Sequence, residues 1–548
     1  MKWIFALVAA LVTAPARGGI GVIRLSGPAT EAILQRVFSA RARGVGPGRD
    51  RLALGWIVRD GEVLDEAIVA GTADPQTVEI NIHAGPQVTR AVLALLSECG
   101  AEIAPPGRGD PALAMAHPRW RNGAIAREVV DALGRAATPM AAAAVAAQWS
   151  GGLSALADRP QADALRRAHP QARVTDMGAA LILPGFVDAH MHYPQTAMIA
   201  SWGKRLIDWL NTYTFPEEAK FADPAYAAEI AGRTLDLALA NGTTTLTSFC
   251  TIHPASVTAF FEAAEARGMA VVAGKTCMDR NAPDTLRDTA QSAYDDSRDL
   301  LRHWHGRGRA RYAITPRFSP TSTPDQLSAL GALWAEHPDC LMQTHLSEQT
   351  DEIAWVRELY PEARDYLDTY EAHGLLGARG LYGHAIHLDP RERDRLRDVG
   401  GGLVHCPTSN TFIGSGLFQL ATLKAEGQRI GLATDTGGGS SFSMLRTMAA
   451  TYEIGQLTGT ALHPAQLLWL ATEGSARVLH DVDEIGTLAP GSAADLVMLD
   501  LASTPAIAQR AAQADTLWEA VFPTIMMGDD RAIAGLRVAG RDPRAGLA

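Results

Sequence analysis

Cysteine is scarce in this sequence and is not arranged in pairs. The five cysteines are scattered along 548 residues, without a Cys-x-x-Cys: Cys99, Cys250, Cys277, Cys340 and Cys406. An odd, widely spaced set argues against a disulfide framework and against a zinc site made of thiolates. We therefore expect free thiols in a reducing compartment, which favours the cytoplasm.

Dense basic tracts and long apolar runs are also missing. The formal net charge is −11 and no cluster of Lys and Arg stands out, so we expect no nucleic-acid partner. Beyond the N-terminus, no segment reaches the length of a membrane-spanning helix, so we expect no membrane partner. With 47% hydrophobic and 20% charged residues, the composition is that of a soluble globular protein, and the length suggests two or three domains.

One short apolar run, residues 4–12, follows Met1-Lys2-Trp3 and precedes the small residues of 13–16. Two interpretations are open: a secretory signal peptide, or the first strand of a domain. The run is too short to span a bilayer. We favour a buried strand, on the strength of the resemblance of residues 4–105 described below.

The chain divides into regions that differ in composition and in hydrophobic pattern. Residues 1–105 hold strand-like runs and turns, and residues 106–172 are rich in Ala, Arg and Pro. From residue 173 short apolar runs alternate with amphipathic stretches, which predicts an α/β fold, a (β/α)8 barrel over 173–480. Residues 481–548 hold a turn and a further strand at 494–499. The predicted barrel strands are residues 181–190, 243–249, 269–274, 310–315, 340–345, 381–384, 402–405 and 429–434.

Histidines and an aspartate end several of these predicted strands. His190 and His192 end the first, and their i, i+2 spacing puts both imidazoles on one face of an extended chain. His345, His384 and Asp435 end or follow the fifth, sixth and eighth strands. Because the C-terminal strand ends of such barrels meet at one rim, we expect these side chains to converge there. Imidazole and carboxylate ligands suit a zinc ion, with iron as the alternative.

Glu348 lies three residues after His345, close enough to the expected metal to act as a general acid or base. The alternative is a solvated glutamate that opens the next helix, where the helix dipole favours a negative charge. His384 also has two interpretations, because it either binds the metal or contacts the water or the reaction intermediate.

Four segments around these residues resemble the guanine deaminases of the amidohydrolase superfamily. They are residues 184–195 (PGFVDAHMHYPQ), 209–217 (WLNTYTFPE), 315–318 (TPRF) and 434–439 (TDTGGG). The likeness runs from about residue 173 to the C-terminus. It implies hydrolytic deamination of guanine to xanthine and ammonia, with one Zn²⁺, or Fe²⁺, as cofactor. A different class of zinc deaminase uses H-x-E with P-C-x-x-C, and this chain has no P-C-x-x-C.

The resemblance also implies roles for individual residues. The metal residues it implies are His190, His192, His345, His384 and Asp435. The guanine-binding residues it implies are Gln195, Arg317 and Phe318, beside His345, Glu348 and Asp435. In the mechanism that follows, Asp435 takes a proton from a zinc-activated water that attacks the amino-bearing carbon. Glu348 then protonates the neighbouring ring nitrogen, and His384 is the third catalytic residue.

The front of the chain resembles a different family. Residues 13–28 and 78–86 resemble the N-terminal domain of the tRNA-modifying GTPases, over about residues 4–105. That resemblance implies an α+β domain that binds a folate one-carbon donor and dimerises, so we expect a homodimer. The chain lacks that family's phosphate-binding loop and C-terminal cysteine motif, which argues against a complete tRNA-modifying activity.

Two alternatives to guanine deamination remain open. The first is a deaminase of the same superfamily that acts on another purine, a pterin or a triazine; Gln195, Arg317 and Phe318 argue against it. The second is a folate-binding or dimerisation module fused to an inactive barrel.

The short β-sandwich that precedes the barrel in the amidohydrolase superfamily is represented here only by about residues 172–184. We therefore expect a truncated sandwich. If the strand at 494–499 lacks its partners, it leaves an unpaired edge.

Overall fold

A computed structural model gives the structure of the chain. It describes residues 8–11, 20–41, 52–71, 76–83, 86–104 and 166–543, apart from 173, 176 and 204. Most of the predicted connecting region, residues 106–165, lies outside the described residues. Two compact units are distinguished, Met1–Val174 and Thr175–Ala548, and each is described by itself.

The first unit contains a mainly antiparallel sheet with two helices, so the predicted α+β domain is confirmed. The strand order is β3-β4-β5-β6-β2-β1-β7. Part of the apolar run at the N-terminus forms β1, which pairs antiparallel with β2 and parallel with β7. The described helices of eight or more residues are Thr30–Val37 and Pro86–Glu98. The strands are β1 (Val8–Leu11), β2 (Ile20–Ser26), β3 (Phe38–Ala40), β4 (Leu52–Arg59), β5 (Glu62–Gly71), β6 (Thr77–His83) and β7 (Glu102–Ala104).

Alternating side chains explain strand β6. Val78, Ile80 and Ile82 are buried, whereas Glu79 and Asn81 between them are partly exposed. Residues two apart point to the same face of a strand, so one face of β6 is apolar. This face shares a core with apolar residues of both helices.

The second unit is built around a barrel of parallel strands. Its main sheet has the order β17-β16-β15-β14-β13-β11-β10-β9, and β12 pairs with β13. The predicted (β/α)8 fold is therefore confirmed. The strands of this unit are β8 (Leu181–Pro184), β9 (Phe186–His192), β10 (Thr243–Phe249), β11 (Ala270–Gly274), β12 (Thr276–Cys277), β13 (Ala310–Pro316), β14 (Leu341–Leu346), β15 (Gly380–His384), β16 (Gly402–His405), β17 (Arg429–Leu432), β18 (Leu496–Leu499) and β19 (Ile533–Arg537).

Hydrogen bonds beyond the strand ends join the first and last barrel strands. The Asp435 N–H donates to the His190 carbonyl at 3.0 Å, and the His192 N–H donates to the Thr436 carbonyl at 2.6 Å. Strand β17 ends at Leu432, two residues earlier than predicted. Asp435 consequently lies on the segment after the strand, where it meets the end of β9.

Helices cover the barrel, and some of them begin with a capping side chain followed by proline. Thr323 and Asp389 accept from the N–H groups of Gln326 and Glu392, and a proline follows each cap. The described α-helices of eight or more residues in this unit are Pro224–Ala240, Pro254–Arg267, Ala290–Trp304, Pro324–Glu336, Thr350–Leu359, Pro390–Val399, Met444–Leu457 and Leu517–Met527. Shorter α-helices are Leu206–Trp209, Phe215–Glu218, Tyr366–Glu371, Pro407–Phe412, Leu420–Ala425, Pro464–Trp469, Ser475–Val478 and Pro505–Ala511.

The first predicted strand, residues 181–190, is wrong as a single element. Leu181–Pro184 forms β8 of a separate small sheet, and the barrel strand β9 begins at Phe186. The break falls at Gly185, whose N–H donates to the Asp495 carbonyl at 2.8 Å. A side chain there would collide with Thr244, because a Cβ would lie 2.1 Å from its Oγ1.

The small sheet has the order β19-β18-β8. The strand at 494–499 therefore has partners, because β18 pairs antiparallel with β8 on one side and with β19 on the other. The chain supplies these partners from residues 181–184 and 533–537. Among the described residues, no helix is long and apolar enough to cross a membrane.

Candidate active site

The five predicted metal residues converge at the C-terminal rim of the barrel. Together with Cys406, they form two overlapping groups whose potential ligand atoms all lie within 4.8 Å of one another: His190, His192 and His345, and His190, His384, Cys406 and Asp435. The four histidines and Asp435 are all buried. Strands β9, β14 and β15 carry the histidines, and Asp435 follows β17. The strand order therefore brings together residues that are far apart in the sequence.

The ring nitrogens face one another at distances that a bound cation would explain. His192 Nε2 lies 3.1 Å from His345 Nε2. His190 Nε2 lies 3.4 Å from Asp435 Oδ1, and His384 Nε2 lies 3.7 Å from Asp435 Oδ2. Among the described residues, the buried Nε2 of His190 has no hydrogen-bond partner. A buried nitrogen without a partner is costly unless something else satisfies it. The donor set therefore fits a metal ion.

Hydrogen bonds on the far side of two rings fix their orientation. His345 Nδ1 donates to the backbone oxygen of Arg317 at 2.7 Å, and His384 Nδ1 donates to Asn410 Oδ1 at 2.9 Å. With Nδ1 carrying the proton, the Nε2 lone pair of each ring points into the cluster. Metal-binding histidines are typically held in this way.

Burial sets the charge state of the cluster. It lowers the pKa of His192 and His345 well below the usual value, with the charge of His190 adding to the effect, so both rings are neutral. Burial opposes ionisation of Asp435, but its contact with His190 and the charge of His384 hold its pKa at about 2. Burial also lowers the pKa of His384, but the carboxylates beside it reverse the sign and raise it.

The backbone is strained where two of these residues sit. His384 has φ 64° and Asp435 has φ 49°, in the left-handed region that side chains other than glycine rarely occupy. Such strain concentrates at functional sites, where the surrounding structure enforces it. Buried Asp188 contributes here, because its carboxylate accepts from the N–H of Thr434 at 3.0 Å and from the Thr434 hydroxyl. Thr434 is thereby held to β9, and the following Asp435 is held with it.

Glu348 is buried beside the cluster. It is 2% exposed, so the alternative of a solvated glutamate at a helix start is wrong. Its Oε1 accepts from Ser415 Oγ at 2.7 Å, and its Oε2 lies 3.6 Å from His384 Nε2. Its backbone N–H donates to Glu352 at 3.0 Å. The carboxylate is thus held at the edge of the predicted metal site.

A cavity opens onto this cluster. Gln195, Arg317 and Phe318 line it, as do Glu348 and Asp435. Apolar walls complete it: Leu206, Trp209, Leu210 and Ile413. Polar side chains, apolar walls and the histidine cluster therefore share one cavity, as is typical of a small-molecule site.

Gly437 lets the segment after Asp435 pass close to the backbone of Gln195. A Cβ on Gly437 would lie 2.4 Å from the backbone oxygen of Gln195. This close approach accounts for part of the glycine run at 437–439.

Comparisons with known proteins agree with this geometry. Residues 181–539 match the amidohydrolase family. The chain belongs to the amidohydrolase family. Guanine deaminase of Escherichia coli (strain K12) is 44% identical over 369 residues, covering 67% of this chain and 84% of that protein. A probable guanine deaminase of Deinococcus radiodurans is 42% identical over 338 residues, covering 61% of this chain and 77% of that protein.

Solved amidohydrolase structures give the same result. That of E. coli guanine deaminase has a TM-score of 0.67 at 43% identity, covering 69% of this chain and 88% of that one. That of guanine deaminase from C. acetobutylicum, with bound guanine in its active site, has a TM-score of 0.64 at 28% identity, covering 68% and 90%. Residues 7–108 match the N-terminus of the GTP-binding protein TrmE. Both family resemblances seen in the sequence are confirmed.

Three site residues of this amidohydrolase escaped sequence reasoning. Asp188 and Asn410 orient the cluster, and Glu218 binds both Arg317 and Gln195. Asp188 carried a usable signal, since it lies two residues before His190 on the same strand face. Glu218 lies one residue beyond the segment 209–217, and its partner Arg317 is 99 residues away.

Two further histidines near strand ends differ in role. His387 Nε2 donates to the Ser415 carbonyl at 2.8 Å, and Ser415 in turn holds Glu348. His405 stacks on Phe418 with 4.5 Å between ring centroids, and burial lowers its pKa to about 3. His387 therefore supports the site indirectly, whereas His405 is a neutral residue of the core.

Proposed function

We propose that this amidohydrolase converts guanine and water to xanthine and ammonia. The observation that carries the proposal is the juxtaposition of the histidine cluster with Arg317, Gln195 and Phe318 in one cavity. The relatives named as guanine deaminases support it, because the chain covers most of their length.

We further propose that the site holds zinc. His190, His192, His345, His384 and Asp435 would hold the ion, since neutral imidazoles and a carboxylate are the ligands that zinc takes in hydrolases. When bound, the ion would make water nucleophilic at neutral pH by lowering its pKa. Iron suits the same donors, and metal analysis of the purified protein distinguishes the two.

The proton transfers fall to residues of the chain itself. Water adds to C2 of guanine and the bond from C2 to the amino nitrogen breaks. One proton of the water ends on the ring nitrogen next to C2, and the other leaves with the ammonia. Ionised Asp435 is placed to accept the first proton. Glu348 is placed to pass a proton to the ring nitrogen next to C2 and then to the amino group. His384 lies between the two carboxylates and stabilises the negative charge of the adduct.

Recognition falls to the cavity residues outside the metal cluster. The Arg317 guanidinium donates to the single carbonyl oxygen of guanine, O6, and Gln195 offers its amide to a ring N–H. Phe318 presents an apolar ring to the purine. The other purines, pterins and triazines remain the second candidate, since the apolar walls accept any flat heterocycle of similar size.

A panel of substrates tests the proposal. Ammonia release is measured with guanine, adenine, cytosine and a triazine, together with the metal content of the same protein. Turnover selective for guanine, with about one zinc per chain, supports the proposal. Turnover of another base in preference to guanine overturns the substrate, and a protein active without metal overturns the metal.

For the first unit we propose a role in assembly. The match to the TrmE N-terminus supports the expected homodimer and leaves folate as its candidate ligand. The described cysteines are all unbridged, which supports the cytoplasm. Light scattering gives the mass of the full chain in solution, and a monomer at micromolar concentration contradicts the dimer. Titration with a reduced folate, followed by fluorescence, tests the ligand.

A further inference from the structure

We propose that Glu218 is the positioning residue that sets the specificity of this site for a carbonyl-bearing purine, by fixing Arg317 and Gln195 as one recognition unit. The inference rests on the proposed function, because it concerns how guanine is selected. It adds a residue that neither the motifs nor the metal cluster indicates.

Glu218 holds both recognition side chains at once. Both of its carboxylate oxygens accept from Arg317 Nη1, at 3.0 and 2.8 Å. Oε1 also accepts from Gln195 Nε2 at 2.8 Å. Glu218 is 1% exposed, Gln195 is 2% exposed and Arg317 is 3% exposed, so water does not compete for these contacts.

The carboxylate determines which atoms the substrate meets. An ionised carboxylate only accepts hydrogen bonds, so Gln195 must turn its NH2 group toward Glu218. Its Oε1 is then the atom left for a substrate, and it requires an N–H. Arg317 donates to Glu218 through Nη1, and the remaining N–H groups of its guanidinium require another hydrogen-bond acceptor. The pair therefore selects a ligand with a carbonyl oxygen and a ring N–H, as guanine has.

The segment that carries Glu218 also forms the wall of the cavity. Leu206, Trp209 and Leu210 line the cavity and precede Glu218 on one run of helical turns. That run contains a π-helical stretch, Leu210–Thr214, a form that is rare and concentrates at functional sites. Phe215, which follows it, lies 5.7 Å from the Arg317 guanidinium. The wall and the recognition pair are thus placed by the same segment.

A neutralising role is the competing explanation. A buried arginine needs a counter-charge for stability, whatever the substrate. The two explanations differ in substrate dependence. If Glu218 only stabilises the fold, its substitution lowers activity toward every substrate. If Glu218 positions Arg317, its substitution lowers activity only toward substrates with a carbonyl oxygen that Arg317 binds.

Glu217 is the matched control. It lies next to Glu218 on the same short helix and is also buried, at 7% exposure. Its carboxylate binds Lys220 Nζ at 2.6 Å and the Tyr226 hydroxyl. Neither of these partners lines the cavity.

The experiment compares Glu218→Gln and Glu217→Gln with guanine and with 2-aminopurine, which keeps the 2-amino group but has no carbonyl oxygen. 2-Aminopurine is measured as a substrate, or by its Ki against guanine. For Glu218→Gln we expect kcat/KM for guanine to fall about 30-fold, mainly through KM, while 2-aminopurine changes less than about threefold. For Glu217→Gln we expect changes below about threefold with both. Metal content should stay the same in all three proteins.

Equal losses with both purines, or no loss with guanine, overturn the proposal. If Glu218→Gln does not fold, Glu218→Asp carries the test, because it keeps the charge but shortens the reach. It should lower kcat/KM for guanine about fivefold and leave 2-aminopurine unchanged, and an unchanged preference for guanine overturns the proposal. A wild-type protein that turns over 2-aminopurine but not guanine overturns the proposed function itself, and this inference with it.

Discussion

The two sides of the cavity are built from different parts of the fold. On the metal side, His190, His192, His345 and His384 belong to barrel strands, and Asp435 closely follows another. On the recognition side, Arg317 follows β13, while Gln195 and Glu218 come from the segment after β9. Strands fix the first set by backbone hydrogen bonding, whereas the second depends on a buried ion pair between distant residues. The metal side should therefore determine whether the reaction occurs, and the recognition side which substrate reacts.

Removal of the metal should have the largest effect. Dialysis against a chelator should lower kcat more than about 1,000-fold, because without the ion Asp435 faces a water whose pKa is no longer lowered. Activity is followed by ammonia release, and metal content by elemental analysis. Addition of zinc should restore activity, since the strand-borne ligands remain in place. Full activity in protein shown to be metal-free would contradict the assignment of the metal side.

Glu348→Gln should rank second. The amide keeps the shape of the side chain but loses proton transfer, so we expect kcat to fall about 100- to 10,000-fold. Metal content should change little, because Glu348 is not among the metal residues. Glu358→Gln, on the neighbouring helix Thr350–Leu359, is the control and should behave as the wild type. A Glu348→Gln protein with wild-type kcat and bound metal would exclude Glu348 as the proton-transferring group.

Arg317→Lys should show that substrate binding on the recognition side can be weakened without loss of the chemistry on the metal side. Lysine keeps a positive charge for Glu218 but loses the planar fork of donors, so kcat/KM for guanine should fall about 10- to 100-fold, mainly through KM. Arg309→Lys is the matched control. Arg309 immediately precedes β13, as Arg317 immediately follows it, and its guanidinium binds Asp495 at 3.0 Å, away from the cavity. Equal kinetic effects of the two changes would contradict a recognition role for Arg317.

Ser415→Ala should have the smallest effect. It removes the 2.7 Å hydrogen bond to Glu348 but leaves the carboxylate in place, so we expect kcat to fall about three- to tenfold. Ser503→Ala, outside the cavity, serves as the control. A loss as large as that of Glu348→Gln would mean that Ser415 itself takes part in proton transfer.

The sequence predicts the metal side well for a physical reason. A parallel barrel brings the C-terminal ends of its strands together, so polar residues at predicted strand ends are neighbours. This argument places His345 and His384 beside His190 without knowledge of any side-chain contact. Its errors lie at boundaries: the break at Gly185 divides β8 from β9, and β17 stops at Leu432.

The recognition side is predicted only in part, because its geometry depends on contacts that have no sequence period. Gln195, Arg317 and Phe318 come from the family resemblance, and the cavity does contain them. Glu218 could not be found in this way, since an acidic residue after Phe-Pro-Glu is equally typical of an exposed helix start. One partner of β18, residues 533–537, was not predicted, because that segment shows no alternation strong enough to predict a strand.

The most direct test of the account is the fate of oxygen when the full-length, zinc-loaded protein acts on guanine in water enriched in heavy oxygen. We predict equal amounts of xanthine and ammonia, with the heavy oxygen in the xanthine, as detected by mass spectrometry. The heavy oxygen should be found at C2, where the amino group was. Guanine recovered unchanged, or xanthine without the label, would contradict hydrolysis at this site.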